Sequence, residues 1–269
     1  MTTPADKPNT LVLTSKDDAT GTITLNRPEV LNAFNLGLAQ QCIDALTRFG
    51  NDATVRVIVL RGAGAAFSAG GDIREMLGDV ERGDRAAYFR EPLAAFGKLV
   101  VALRETPKPV LAAVHGAVAG VAFNTMLACD LKIATQTTRF TQAFIKIGLS
   151  PDGGGTWLLP RIVGYARAFE LALLPSELDA VTARKWGLIN WVVPDEDFEK
   201  SVKEIAARLA KGPSDAMKRA KTLLNEAYDR NLADQIEAER LAQVDNAASP
   251  DFEEGLRAFL AKREPSFRK

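Results

Sequence analysis

Residues 108–135 read KPVLAAVHGAVAGVAFNTMLACDLKIAT. The run opens with a strand of unbroken apolar residues, turns tightly at His115-Gly116, continues as a helix of small residues and ends in a second strand, DLKIAT. A strand with no polar alternation is buried on both faces, and strands joined through helices run parallel. The pattern repeats outward. Upstream, residues 55–60 of VRVIVLRGAG form another buried strand that opens into a glycine-rich loop, and FSAGGDIREM starts a helix from that loop. Residues 22–25 of GTITLNRP form a short strand, and EVLNAFNLGLAQQCIDALTRFGND has helical spacing up to Gly50-Asn51. A longer helix is expected from Asp84 to about Arg104. After about residue 165 the strand signal fades, and ARAFELALL, DAVTARKWGL and residues 195–262 read as amphipathic helices. The expectation is an α/β fold: a flexible polar tail at 1–10, a strand-rich core at 11–195 and a helical region at 196–269.

With 269 residues, 46% of them hydrophobic and 25% charged, the chain suits one large domain or one and a half. Lys+Arg and Asp+Glu are equal at 34, so no global field recruits nucleic acid or an anionic membrane. Cys42 and Cys129 lie in apolar stretches and read as free buried thiols of a reducing compartment. His115 is the only histidine, and no Cys/His spacing suits zinc. The N-terminus MTTPADKPNT has no apolar signal region, and no run is apolar enough to span a bilayer, so a cytoplasmic enzyme is expected.

Three glycine-rich turns follow strands, at 62–71, 116–120 and 148–155. Such turns admit a ligand to the backbone, or merely reverse the chain. The last one, GLSPDGGGTW, contains Asp152 between a proline and three glycines. Pro-Asp-Gly is a turn signature, and an aspartate there suits the cap of a helix starting near Gly154. A carboxylate among apolar neighbours is equally a proton carrier. From the local residues, both readings stand.

Five motifs occur in order: AFSAGGDI (66–73), HGAVAGVAFNTMLACD (115–130), GLSPDGGGTWLLPRIVG (148–164), ARKWGLINWVV (183–193) and AFLAKREPSF (258–267). Together they resemble the crotonase superfamily, the enoyl-CoA hydratases and isomerases, over nearly the whole chain. The resemblance implies repeated ββα units followed by a helical C-terminal region that assembles a homotrimer or a dimer of trimers. It implies an acyl-CoA thioester substrate, with CoA entering as part of it and no metal or redox cofactor. By motif match, the thioester oxygen would be held by the backbone N–H groups of Ala69 and Val121, the latter at a position where the family usually has glycine. CoA contacts would come from Ala33, Ala69, Gly70, Gly71, Asp72 and Ile73, with Phe259 and Lys262 covering the CoA moiety and Arg27 a weaker phosphate contact.

The two glutamates of the family's hydratases fall at Asn124 and Phe144, and neither residue is a general base. Asn124 would hydrogen-bond substrate or water, and Phe144 would make an apolar wall. Asp152 matches a position where isomerases of the family carry a carboxylate, and its segment is most similar to the subgroup that isomerises a ring-epoxide CoA thioester. The resemblance therefore implies a double-bond or ring-epoxide isomerase with Asp152 shuttling the proton. The alternatives are a hydratase with an atypical acid set, a non-catalytic acyl-CoA-binding protein and, more weakly, an aryl-CoA dehalogenase that would need His115 as base. Tyr88, Phe89 and Phe96 would face a ring or pack in a helix core.

Overall fold

The computed structural model describes residues 10–174 and 176–267, so the expected tail lies, but for Thr10, outside the described residues. The chain runs β1 (Val12–Asp17), β2 (Thr20–Leu25), α1 (Leu36–Asn51), β3 (Val57–Gly62), α2 (Ile73–Glu81), α3 (Glu91–Glu105), β4 (Val110–Val114), β5 (Ala117–Ala119), α4 (Gly120–Ala128), β6 (Leu131–Thr135) and β7 (Arg139–Thr141). It continues through α5 (Gly155–Val163), α6 (Tyr165–Leu173), β8 (Leu178–Asp179), α7 (Ala180–Lys185), β9 (Trp191–Val193), α8 (Phe198–Ala210), α9 (Ser214–Glu226), α10 (Leu232–Ala247) and α11 (Pro250–Leu260). A six-stranded sheet has the order β1-β2-β3-β4-β6-β9, and a smaller one the order β5-β7-β8. Among the described residues only the β1–β2 and β7–β8 pairs are antiparallel.

The unbroken apolar strands are covered on both faces. Ile58, Leu60, Val110, Ala112 and Val114 join one hydrophobic cluster with Leu38, Cys42 and Phe49 of α1 and Phe96, Leu99 and Leu103 of α3. The alternate residues Val57, Val59, Leu111 and Ala113 join a second cluster with Phe198, Val202, Ala206 and Ala210 of α8. In α1 the buried positions recur at helical spacing, and Asn35 caps it by accepting from the Leu38 N–H at 2.9 Å. Cys42 and Cys129 are free and buried, and burial pushes both thiols up to about 12.

Several elements differ from the sequence expectation. The helix expected from Asp84 begins at Glu91, with Pro92 in its first turn. Residues 84–90 form a turn that seats Tyr88 in the core. The strand signal does not end at 165: β9 completes the large sheet beside β6. Strands of two or three residues, such as β5, β7, β8 and β9, are too short to display a period of two. β1 escapes notice because only Val12 of its six residues is buried.

The turns after β3 and β4 are laced together. The Phe67 N–H donates to His115 O (2.7 Å), the Ser68 N–H to Ala117 O (3.1 Å) and the Ala119 N–H to Ser68 O (3.1 Å). Gly116 makes this approach possible. It has φ +58°, and a Cβ there would stand 2.1 Å from Ala65 O.

Candidate active site

The laced turns bring residues 69–71 against the start of α4. A Cβ on Gly70 would lie 3.0 Å from Ala119 O, and one on Gly120 would stand 3.9 Å from the Gly70 Cα and 3.7 Å from the Phe144 ring. The Ala69 N–H, expected to face a ligand, instead donates to Leu31 O at 2.9 Å. That bond ties the loop to the segment around Asn32 and removes Ala69 as a donor. The Gly71 N–H, two peptides on, makes no hydrogen bond among the described residues. The Val121 N–H lies in the first turn of α4, where helical geometry supplies no intrahelical acceptor. Two buried side chains that sequence reading missed hold the loop. Ser68 Oγ donates to Asn32 O (2.8 Å) and accepts from the Gly70 N–H (3.2 Å). Asn32, in the left-handed region at φ +54°, donates from Nδ2 to Ala63 O and Ala66 O. An asparagine tolerates that backbone better than most residues, which is the one local sign of its role.

Asp72 is committed to the protein. Its Oδ1 caps α2 by accepting from the N–H groups of Arg74 and Glu75 at 3.1 and 3.2 Å. Its Oδ2 pairs with Arg27 at 2.8 Å, with little of either side chain exposed. Arg27 also donates to Ala33 O at 2.6 Å, so Arg27, Ala33 and Asp72 form one linked set, not three free contacts for a nucleotide. Ile73 stands exposed beside them. The Tyr88 hydroxyl donates to Phe34 O and accepts from the Asp72 N–H (3.0 Å). Tyr88 and Phe96 are core residues, and their rings are in contact.

Asp152 is different. It is half-buried, its Oδ1 is buried without a hydrogen-bond partner, and its side chain caps no helix, because the cap of α5 is Gly154. Burial pushes its carboxyl up to about 6. Burial also raises the Tyr88 phenol, and the charges of Glu75, Asp72 and Asp152 add to that shift. Phe144, 7% exposed, supplies an apolar wall at the start of α4.

Asn124, expected to hydrogen-bond substrate or water, is wholly buried and committed at both ends of its amide. Nδ2 donates to the Asp152 carbonyl at 2.8 Å, and Oδ1 accepts from Gln142 Nε2 at 2.7 Å. Gln142 is the third buried polar residue missed from sequence. His115 bonds Gly64 O at 2.9 Å and its ring lies near Phe198, on the face of the sheet covered by α8. Phe259 is 81% exposed and Lys262 is also exposed, and the Lys262 side chain makes no hydrogen bond or ion pair among the described residues.

The arrangement combines two backbone donors at adjacent turns, an apolar ring beside them and one carboxyl held near neutrality. Such a site can stabilise an oxyanion while a single group moves a proton.

Residues 15–269 match the family model described as enoyl-CoA hydratase/isomerase. A 1,2-epoxyphenylacetyl-CoA isomerase of Escherichia coli is 40% identical over 256 residues, spanning 95% of this chain and 97% of the relative. A probable enoyl-CoA hydratase of Rhodobacter capsulatus is 44% identical over 245 residues, spanning 91% and 93%. The crystal structure of an enoyl-CoA hydratase from a Polaromonas species superimposes with a TM-score of 0.91 at 33% identity, over 96% of this chain and 99% of that one.

Proposed function

Because the chain belongs to the enoyl-CoA hydratase/isomerase family, we propose that it is an acyl-CoA isomerase in which Asp152 is the only proton carrier. The thioester carbonyl oxygen accepts from the N–H groups of Gly71 and Val121. The Asp152 carboxylate takes a C2 proton from a 3-enoyl thioester, and the C–H electron pair moves into an enolate held by those donors. The protonated Asp152 then returns the proton at C4, and the double bond shifts to C2. Removing one donor from an oxyanion hole costs about 10²–10³ in rate. CoA enters as part of the substrate.

The observation that carries this reading is the Asp152 carboxyl, which caps no helix, pairs with no cation among the described residues and is raised by burial to about 6. A base with a pKa near the working pH serves well in both directions of proton transfer. The residues at the two acid positions of hydratases speak for the same reading, since Phe144 cannot bind water and the Asn124 amide is already engaged. The name of the Escherichia coli relative agrees with isomerisation, whereas the Rhodobacter relative is named a hydratase. Hydration is therefore the second reading.

Incubation with 3-hexenoyl-CoA and, separately, 2-hexenoyl-CoA in deuterated water separates the two. Conversion of the 3-enoyl to the 2-enoyl ester without water addition, abolished by Asp152→Asn, is expected. Rapid hydration of the 2-enoyl ester that survives Asp152→Asn would return the protein to the hydratases.

We also propose self-association through the C-terminal helices, which expose Leu224, Leu232, Ile236, Val244, Leu256 and Leu260 in the single chain.

A further inference from the structure

We propose that Asn124 is a positioning residue. With Gln142 it forms a buried brace that fixes Asp152 relative to the Val121 N–H, and Gly155 lacks a side chain so that the brace fits. The inference rests on the reading of Asp152 as the base.

Four observations meet at this amide. Asn124 and Val121 are one turn apart on α4, so a group fixed to Asn124 is fixed in register with the backbone donor. The Asn124 Nδ2 reaches the carbonyl of the very residue whose carboxyl would move the proton, at 2.8 Å. Gln142, which holds the other end of the amide, lies two residues before Phe144, so the same contact seats the apolar wall. A Cβ on Gly155 would stand 2.4 Å from Asn124 Nδ2 and 2.6 Å from both Cγ and Oδ1. No side chain is compatible with that spacing unless the amide moves.

The loop also closes on α4 at Gly153, where a Cβ would meet Val121 Cγ2 at 3.2 Å and Asn124 Cβ at 3.6 Å. Valine at position 121 is thus accommodated by the glycine opposite it. The brace is built despite a local penalty: Gln142 Oε1 is buried and unpartnered. Buried polar groups are ordinarily paired, and exceptions gather where geometry is imposed for another purpose. In a dry setting such hydrogen bonds are strong and hold one arrangement.

The test compares Asn124→Ala, Gly155→Ala, the double variant and Asp152→Asn as full chains, assayed for 3-hexenoyl-CoA isomerisation across pH. Each of the first two is expected to lower kcat by about 10²-fold while KM changes by less than about threefold, because a small misplacement of the reacting groups is felt in the transition state. The acid limb of the pH–rate profile is expected to move below its wild-type midpoint as water reaches the carboxyl. The double variant is expected to be no slower than Asn124→Ala alone, because alanine at 124 vacates the space that the new Cβ occupies. Full kcat and an unmoved acid limb in both single variants, or losses that multiply in the double, would overturn the brace. Should Asn124→Ala not fold, Gln142→Leu takes its place. It exchanges one unpartnered oxygen for another, so unchanged thermal stability with lowered kcat supports positioning, and unchanged kcat refutes it. Activity retained in Asp152→Asn would instead remove the base reading, an outcome distinct from failure of the brace.

Discussion

Asn35, Asp72, Asp179 and Asn231 each stand before a helix and accept hydrogen bonds from its first N–H groups. The Asp152 side chain, two residues before the cap of α5, accepts none among the described residues, and the Gly155 N–H goes instead to the Asp152 backbone carbonyl at 2.9 Å. That contrast removes the helix-cap reading and supports the proposed proton carrier, and the local sequence could not supply it, because Pro-Asp-Gly satisfies both. The same blindness affected Ala69. Its N–H is consumed by Leu31, 38 positions away in sequence and adjacent only in the fold. Two consequences follow for the carboxyl. As a base it must be ionised, so kcat/KM is expected to rise with pH through a midpoint near 6 and to level off above it. A pH–rate profile on a 3-enoyl thioester measures this, and a flat profile between pH 5 and pH 7 would contradict it. The second consequence is for stability. The folded pKa lies above the ordinary 3.8, so this group's contribution is fully present below about pH 4 and is lost as pH rises through 6. Asp152→Asn, inactive, is therefore expected to unfold later than wild type at pH 8, by on the order of 1–3 kcal/mol, and to lose that advantage near pH 4. Urea unfolding at both pH values reads the difference.

Among the elements, the continuous apolar strands β3 and β4, the shorter strands β2 and β6 and the helix α4 were legible within two or three residues, whereas α1 was legible only at its end: the helical spacing read from Glu29, but the helix starts at Leu36, after the Asn35 cap. Elements set by long-range pairing were not legible. β5 exists because residues 117–119 pair with β7 and with the Ser68 segment, and nothing in AVA alone says so. α2 shows how a short helix is secured at one end. None of its residues is fully buried and Met76 is its one contact with the main core cluster, so the Asp72 cap and the Arg27 pair carry much of its anchoring. Asp72→Ala removes both and leaves the Arg27 guanidinium only the more distant and more exposed Glu75 carboxylate, at 3.9 Å. The expected loss is about 3 kcal/mol or more, in line with breaking a buried pair, against about 1 for a cap alone. Asp72→Asn should retain the cap and lose less, and thermal unfolding of the two variants distinguishes the contributions.

On the scale of the molecule, the C-terminal region is tied to the core by few polar contacts. Lys221 of α9 donates to Leu103 O, to Lys108 O and to Asp130 Oδ2, at 2.9, 3.1 and 2.8 Å. Asn225 adds a bond to Arg104 O. Lys221→Ala is expected to release α9 first, seen as faster amide hydrogen exchange over residues 214–226 while β3 and β4 stay protected. If the apolar residues left exposed on α9–α11 meet those of other copies, sedimentation of the wild type gives a mass near three times 29.1 kDa, and Leu256→Glu with Leu260→Glu shifts it toward the monomer. A monomeric wild type would leave those surfaces to another explanation.

The large sheet, covered by α1 and α3 on one side and by α8 on the other, acts as a partition. Leu60 looks toward the side where α1, α3 and α4 pack, α4 being the helix that opens at the candidate site, and its neighbour Val59 looks toward α8. Consecutive positions of one strand thus answer to separate demands. Drift along the α8 seam can alter how firmly the scaffold holds without reshaping the reaction chamber, while changes on the opposite side retune the chamber over an unaltered foundation. A lineage built on such a wall is free to exchange one acyl chemistry for another without first learning to fold again.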